Sequence, residues 1–167
     1  GLTKEVLKTN MQADGSWSDT VKFTYRDGFY KQHNLSAESS WSIYRNDSNK
    51  IYTFQEGEAF DICTVTDPSV DVEHASTGKK PQVILLDTIV KFGDYQLQMV
   101  EVKWKSGSYF YLFSPKHFTA NPEDYKGHVY DGFYEYLKIS KAYPVKLIKK
   151  TEAMSVTFSL VGFSEHL

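Results

Sequence analysis

From residue 20 to residue 160 the chain returns again and again to one pattern. A short run of alternating large apolar and polar side chains is closed by a tight cluster of Asp, Asn, Gly or Ser. Alternation with period two puts every second side chain on the same face of an extended strand, so the pattern specifies β-structure and sets which residues share a face. Val21, Phe23 and Tyr25 alternate up to Asp27-Gly28, a two-residue hairpin signal that leads into FYKQHNL. WSIYR and KIYTF then flank Asn46-Asp47-Ser48-Asn49, whose side chains bond their own backbone and tolerate turn geometry. Glu56-Gly57-Glu58 precedes AFDICTVT, Gly93-Asp94 joins QVILLDTIVKF to YQLQMVEVKW, and Ser106-Gly107-Ser108 leads into YFYLF. FYEYLKI and AYPVKLIKK read as further strands, with Pro144 marking an edge or a strand start. MSVTFSL closes the series with Met154, Val156, Phe158 and Leu160 in register.

Twelve Tyr and eleven Phe strengthen the reading, because flat rings pack well on a half-buried pleated surface. About ten strands and little helix predict a mainly β protein (β-rich α+β). The expected form is one large curved antiparallel sheet forming an unclosed half-barrel, with a calycin-type closed barrel as the alternative. At 167 residues the chain fits a single domain, 1–167. The N-terminal segment LTKEVLKTNMQ spaces Leu2, Val6, Leu7 and Met11 as one helical stripe, so an amphipathic helix ending before Asp14-Gly15 is expected to cover one sheet face. Residues 67–81 form a long polar stretch between two prolines, read as a mobile connector with a lid as the alternative. Asn121-Pro122 looks like the start of a single helical turn.

The hairpin at 41–54 carries apolar groups on both faces. Trp41 and Ile43 lie opposite Tyr44 on one strand, and Tyr52 and Phe54 lie opposite Ile51 on the next. A sheet with one fully wet face disfavours that arrangement, so cover on both sides is expected.

A formal charge of −2 with dispersed lysines gives no electrostatic basis for binding nucleic acid or an anionic membrane. The most apolar run, 83–90, is short and interrupted by Asp87, so no transmembrane segment is expected. The chain starts at Gly1 and its first Met is Met11, which leads us to expect a removed targeting segment or a trimmed end. Cys63, the only cysteine, is expected as a small buried hydrophobe.

Catalytic motifs are missing: there is no phosphate-cradling glycine loop with a lysine, no HExxH, no GxSxG and no CxxC. His117 and His128 flank Glu123 and Asp124, but at spacings that match no recurrent zinc pattern. Glu56, Glu58 and Asp61 lack the ligand order of a calcium loop. No metal and no cofactor is expected. A serine–histidine pair meeting only in three dimensions stays open, and with it a hydrolase or lyase as the third function class. The aromatic surface is what remains, and an extended sheet can present such rings to an apolar ligand. Trp41, Tyr44, Tyr52, Phe54, Met99 and Trp104 are the candidate ligand-contacting residues.

Several stretches in order resemble a known family. The hairpin W-x-I-Y-R-N-D-S-N-K-I-Y-T-F (41–54), the run Tyr109-Phe110-Tyr111-Leu112-Phe113-Ser114-Pro115 with Asn121-Pro122 after it, and A-Y-P-V-K-L (142–147) before an alternating strand are similar to LolA-like periplasmic proteins. The resemblance is to the small secreted relatives common in Bacteroidetes. It implies a half-barrel with helices on its concave side and a periplasmic or secreted location, possession of a lipid- or lipoprotein-carrying cavity being known for the best-studied carriers. The expected function is therefore a non-enzymatic envelope protein that binds a lipid or other apolar small molecule. The alternative is a protein-interaction or structural module with an envelope protein partner.

Overall fold

A computed structural model of the chain describes residues 3–10, 20–34, 40–55, 62–160 and 162–166. The protein is mainly β and antiparallel, as expected, and among the described residues neither sheet closes into a barrel. Where the sequence reading has one sheet, the strands form two, of seven and five strands. The chain divides into two compact units, one of Gly1–Pro68 with Phe158–Leu167 and one of Ser69–Thr157.

The first unit holds β1 (Thr3–Asn10), β2 (Thr20–Arg26), β3 (Phe29–Asn34), β4 (Ser40–Arg45), β5 (Lys50–Gln55) and β6 (Ile62–Thr66). They pair in chain order as a meander, and the C-terminal strand Phe163–His166 adds beside β1. The expected N-terminal helix is thus a strand. The reason is visible in the register, which shifts between Val6 and Lys8, so that Leu7 is an extra residue against β2. An extra residue in a bulge breaks the period-two alternation by which a strand is read from sequence. Pairing on both sides then outweighs any local helical preference. The predicted turns at Asp14-Gly15 and Glu56-Gly57-Glu58, and the acidic set with Asp61, lie outside the described residues.

One face of this sheet is a continuous aromatic ladder. Tyr25 sits opposite Tyr30, Tyr30 opposite Tyr44 and Tyr44 opposite Ile51. Phe23 stacks on Tyr25 at 5.8 Å and Tyr30 on Tyr44 at 5.4 Å. Val21, Tyr25, Tyr44 and Ile51 are buried. Each ring pair of this kind contributes about 0.5–1.5 kcal/mol beyond its burial. The other face carries Trp41 stacked on Phe54 at 4.1 Å, with the Lys31 ammonium 4.6 Å from the Trp41 ring. Cys63 lies opposite Phe54 on this second face and is exposed, not buried as its sequence context implies. Among the described residues its strand is the outermost of the sheet.

The second unit contains α1 (Val72–Thr77), β7 (Gln82–Phe92), β8 (Tyr95–Lys103), β9 (Gly107–Phe113), α2 (Phe133–Ser140), β10 (Lys146–Thr151) and β11 (Ser155–Ser159), the last crossing the boundary between the units. The sheet order is β11-β10-β9-β8-β7. β10 is paired on both sides and begins two residues after Pro144, so that proline marks a strand start.

FYEYLKI, expected as a strand, is the helix α2. Its buried residues Phe133, Tyr136, Leu137 and Ser140 fall at i, i+3, i+4 and i+7, the helical period. High β-propensity of the rings masks that period in the sequence. Tyr136 stacks on Tyr111 of β9 at 4.4 Å and meets Phe113 edge-on at 6.1 Å. Gly132, in the left-handed region at φ +66°, lets the chain pass close over the sheet, since a Cβ there would lie 2.5 Å from Val102 Cγ1. A short 3₁₀ turn at Pro122–Tyr125, capped by Asn121, matches the expected helical turn. Among the described residues no helix is long and apolar enough to cross a membrane.

His128 is buried in this unit, edge-on to Phe133 at 5.0 Å. Burial pulls its pKa down to about 4. Below its ordinary value near 6.5 the unfolded chain takes up a proton that the folded chain refuses until about pH 4. Stability should therefore fall as pH drops from about 6.5 to 4, by roughly 3 kcal/mol from this group alone. Urea unfolding at stepped pH reads the slope, and His128→Leu should flatten it between pH 6.5 and 5. An unchanged slope in that variant contradicts the assignment.

Candidate functional site

Four separate segments of the second unit surround an open cleft of about 880 Å³. They are α1 with Asp71 before it, the β8–β9 turn at 104–107, the 3₁₀ turn at Tyr130–Gly132, and the β10–β11 turn at 151–153. The volume lies within the roughly 300–1,000 Å³ usual for small-molecule sites.

α1 lies within the predicted loop 67–81 and is pinned, rather than free to connect or close. Asp71 is 6% exposed. One of its carboxylate oxygens caps the helix by accepting the His74 backbone N–H at 2.7 Å. The other accepts the Trp104 indole N–H at 2.8 Å. Gly78 ends the helix in the left-handed region. Glu73 reaches across to the β8–β9 turn and accepts the backbone N–H of Lys105 at 2.6 Å and of Ser106 at 3.2 Å, together with the Ser106 hydroxyl. The Ser106 hydroxyl and these backbone donors hold its carboxyl below the ordinary range.

Trp104 meets Tyr109 edge-on at 4.9 Å. The Lys149 ammonium stands 4.6 Å from the Tyr109 ring and 2.7 Å from an Asp131 carboxylate oxygen. Asp131 is left-handed at φ +57°, as is Gly132 after it, and its carbonyl accepts the Tyr111 hydroxyl at 2.7 Å. Gly132 adopts that conformation freely, whereas at Asp131 it is costly and persists where the surroundings over-determine it. Burial, then the charges of Asp131 and Asp71, push the Tyr109 phenol up to about 12. Asp131 and burial raise the Tyr130 phenol as well.

Replacing Asp71 by Ala removes the cap and leaves the Trp104 indole without its acceptor. An expected loss of about 1–3 kcal/mol follows, measured by urea unfolding. Asp71→Asn keeps one acceptor oxygen for the His74 cap but turns its NH2 toward the Trp104 indole N–H, so a smaller loss than that of Asp71→Ala is expected. Equal losses for the two variants contradict the capping role.

The sequence candidates are dispersed. Trp41, Tyr52 and Phe54 share one half-buried face of the seven-stranded sheet, and Tyr44 is buried on the opposite face with its hydroxyl donating to Asn49 Oδ1 at 3.2 Å. Met99 is paired with Leu86 and Leu112 in the five-stranded sheet and does not line the cleft. Trp104 alone of the six does so. Asp71, Glu73, Tyr109, Tyr130 and Asp131 are not among the sequence candidates for the site, although Asp71 and Gly78 are the start and stop signals of a short helix.

The candidate metal residues also separate. His128 is buried against Phe133, whereas His117 lies edge-on to Tyr95 with its Nδ1 2.8 Å from Ser114 Oγ. That serine and histidine are three residues apart within a local turn. Among the described residues no three His, Cys, Asp or Glu side chains are disposed to hold a metal ion.

No family model matches the sequence, and no curated protein does. Among solved structures the chain is similar to PNGF-II in two crystal forms. In the C2 form the TM-score is 0.57 at 8% identity, and in the P21 form it is 0.58 at 9%. The match covers 100% of this chain but only 28% and 29% of PNGF-II. The chain thus spans less than a third of the length of the protein it is similar to, and at this identity the likeness is one of fold.

Proposed function

We propose that this chain is a non-enzymatic binding module that takes an apolar or amphipathic ligand in the cleft beside α1. The observation that carries the reading is the cleft's construction, in which an aromatic wall of Trp104, Tyr109 and Tyr130 is held by carboxylates already engaged in structure. Asp71 caps α1 and fixes Trp104, Glu73 fastens the β8–β9 turn, and Asp131 pairs with Lys149. Groups committed in this way suit a shaped wall better than a proton-transfer pair. The resemblance to LolA-like proteins supports a secreted or periplasmic setting and a lipid-like ligand. Native mass spectrometry of gently purified protein is expected to reveal an adduct that Tyr130→Ala weakens and Trp41→Ala leaves intact. Adduct loss in Trp41→Ala alone would move the site to the other sheet and overturn the reading.

A protein-interaction role has its own observation. β7 is the outer strand of its sheet and exposes Ile84, Leu85 and Ile89, the last at 69%. Open strand edges with apolar side chains accept an added strand. Under this second reading, Leu85→Lys abolishes capture of a partner from an envelope extract while the adduct in the cleft persists. Capture unaffected by that change removes it.

A further inference from the structure

We propose that the ligand of this cleft carries an organic cation, an alkylated ammonium or a guanidinium, seated against Trp104, Tyr109 and Tyr130. The inference rests on the cleft being the binding site and adds the charge of what enters it.

An ammonium already stands on this wall. Lys149 places its nitrogen over the Tyr109 ring at 4.6 Å and beside Asp131 at 2.7 Å, so the local geometry satisfies a cation from both an aromatic face and a carboxylate. The remaining lining is short of positive charge. Four carboxylates, Asp71, Glu73, Asp131 and Glu152, face the cleft with one lysine, Lys105. Counting Lys149 as well leaves four against two, a formal excess of two negative charges. Asp71 is held by N–H donors without a full charge, and Glu73 by the Ser106 hydroxyl and backbone N–H groups, with Lys105, already counted, as the nearby positive charge.

An anionic headgroup would be repelled here, and a neutral apolar molecule would gain from the rings alone. A cation with attached carbon gains from rings and carboxylates together. A quaternary ammonium and an arginine side chain share this chemistry.

The test compares three molecules of one shape, choline, the neutral 3,3-dimethylbutan-1-ol and the anionic 3,3-dimethylbutyrate, titrated into ¹⁵N-labelled protein. N-acetyl-arginine amide is a fourth arm that separates a guanidinium source from a quaternary ammonium. The readout is the Trp104 indole N–H with the backbone amides of Ser106, Tyr109 and Asp131. We expect one or both cations to bind about tenfold more tightly than the alcohol, with the preference shrinking as salt rises, and the butyrate not to bind. Glu152→Gln, at the exposed rim, should weaken the cations and leave the alcohol unchanged. Equal or tighter binding of the alcohol overturns the cation assignment while the cleft stands as a binding site. Should none of the four move these signals, the assignment and the cleft reading fall together.

Discussion

Tyr136→Ala is expected to lower the stability of the second unit by about 3–5 kcal/mol, the range for truncating a buried aromatic. The ring is fully enclosed, stacks on Tyr111 and meets Phe113 and Phe133. Its hydroxyl donates to the Ala142 carbonyl at 2.8 Å, and burial raises its pKa. α2 turns on a short 3₁₀ entry and is only eight residues long, so packing holds it in place rather than intrinsic helicity. The loss should also reach the cleft, because Tyr111 under the ring donates to the Asp131 carbonyl. Urea unfolding followed by circular dichroism should show the midpoint falling by roughly 2 M. Tyr136→Phe removes only the hydroxyl, and Ser140 Oγ still donates to the same carbonyl at 3.0 Å, so about 1 kcal/mol is expected. A Tyr136→Ala loss no larger than that of Tyr136→Phe contradicts the packing account.

Gly107→Ala is the second large effect. Gly107 begins β9 opposite Thr151 of β10. A Cβ there would collide with the Lys150 carbonyl oxygen and come 2.9 Å from Thr151 Cα. Both obstacles are backbone within a paired ladder and cannot rotate away. The expected cost is about 2–4 kcal/mol, taken as strain or as opening of the strand ends. The same residue lines the cleft, and its carbonyl accepts the Trp104 backbone N–H at 2.8 Å. Hydrogen exchange should therefore quicken at Trp104, Ser108 and Thr151 while the amides of α2 keep their protection. Unchanged exchange at those positions contradicts the close approach.

Much of the sheet is legible in the sequence because alternation is a local signal. WSIYR and KIYTF pair around Asn46–Asn49 with Trp41 opposite Phe54, and their two apolar faces are one buried and one half-buried. Asp27-Gly28 and Gly93-Asp94 both turn hairpins. Failures occur where a second rule competes. At Val6–Lys8 a bulge breaks the period-two alternation, and in FYEYLKI the β-propensity of the rings hides a helical period. The division into two sheets is not legible, because strand composition does not say which outer strand remains unpaired. The cleft is less legible still. Asp71, Trp104, Asp131 and Glu152 come from four segments far apart in the chain, and nothing local links them. Aromatic richness draws attention to the hairpin at 41–54, whereas the rings that line the cleft are Trp104, Tyr109 and Tyr130.

The two indole signals of Trp41 and Trp104 give the most direct test of the cleft as the binding site. The probe is octyltrimethylammonium, kept below its micelle concentration and titrated into the ¹⁵N-labelled protein. A saturable shift of the Trp104 indole N–H with the amides of 105–109 and 130–132, and a stationary Trp41, is the predicted result. A saturable shift at Trp41, or along β7, with Trp104 stationary would contradict it.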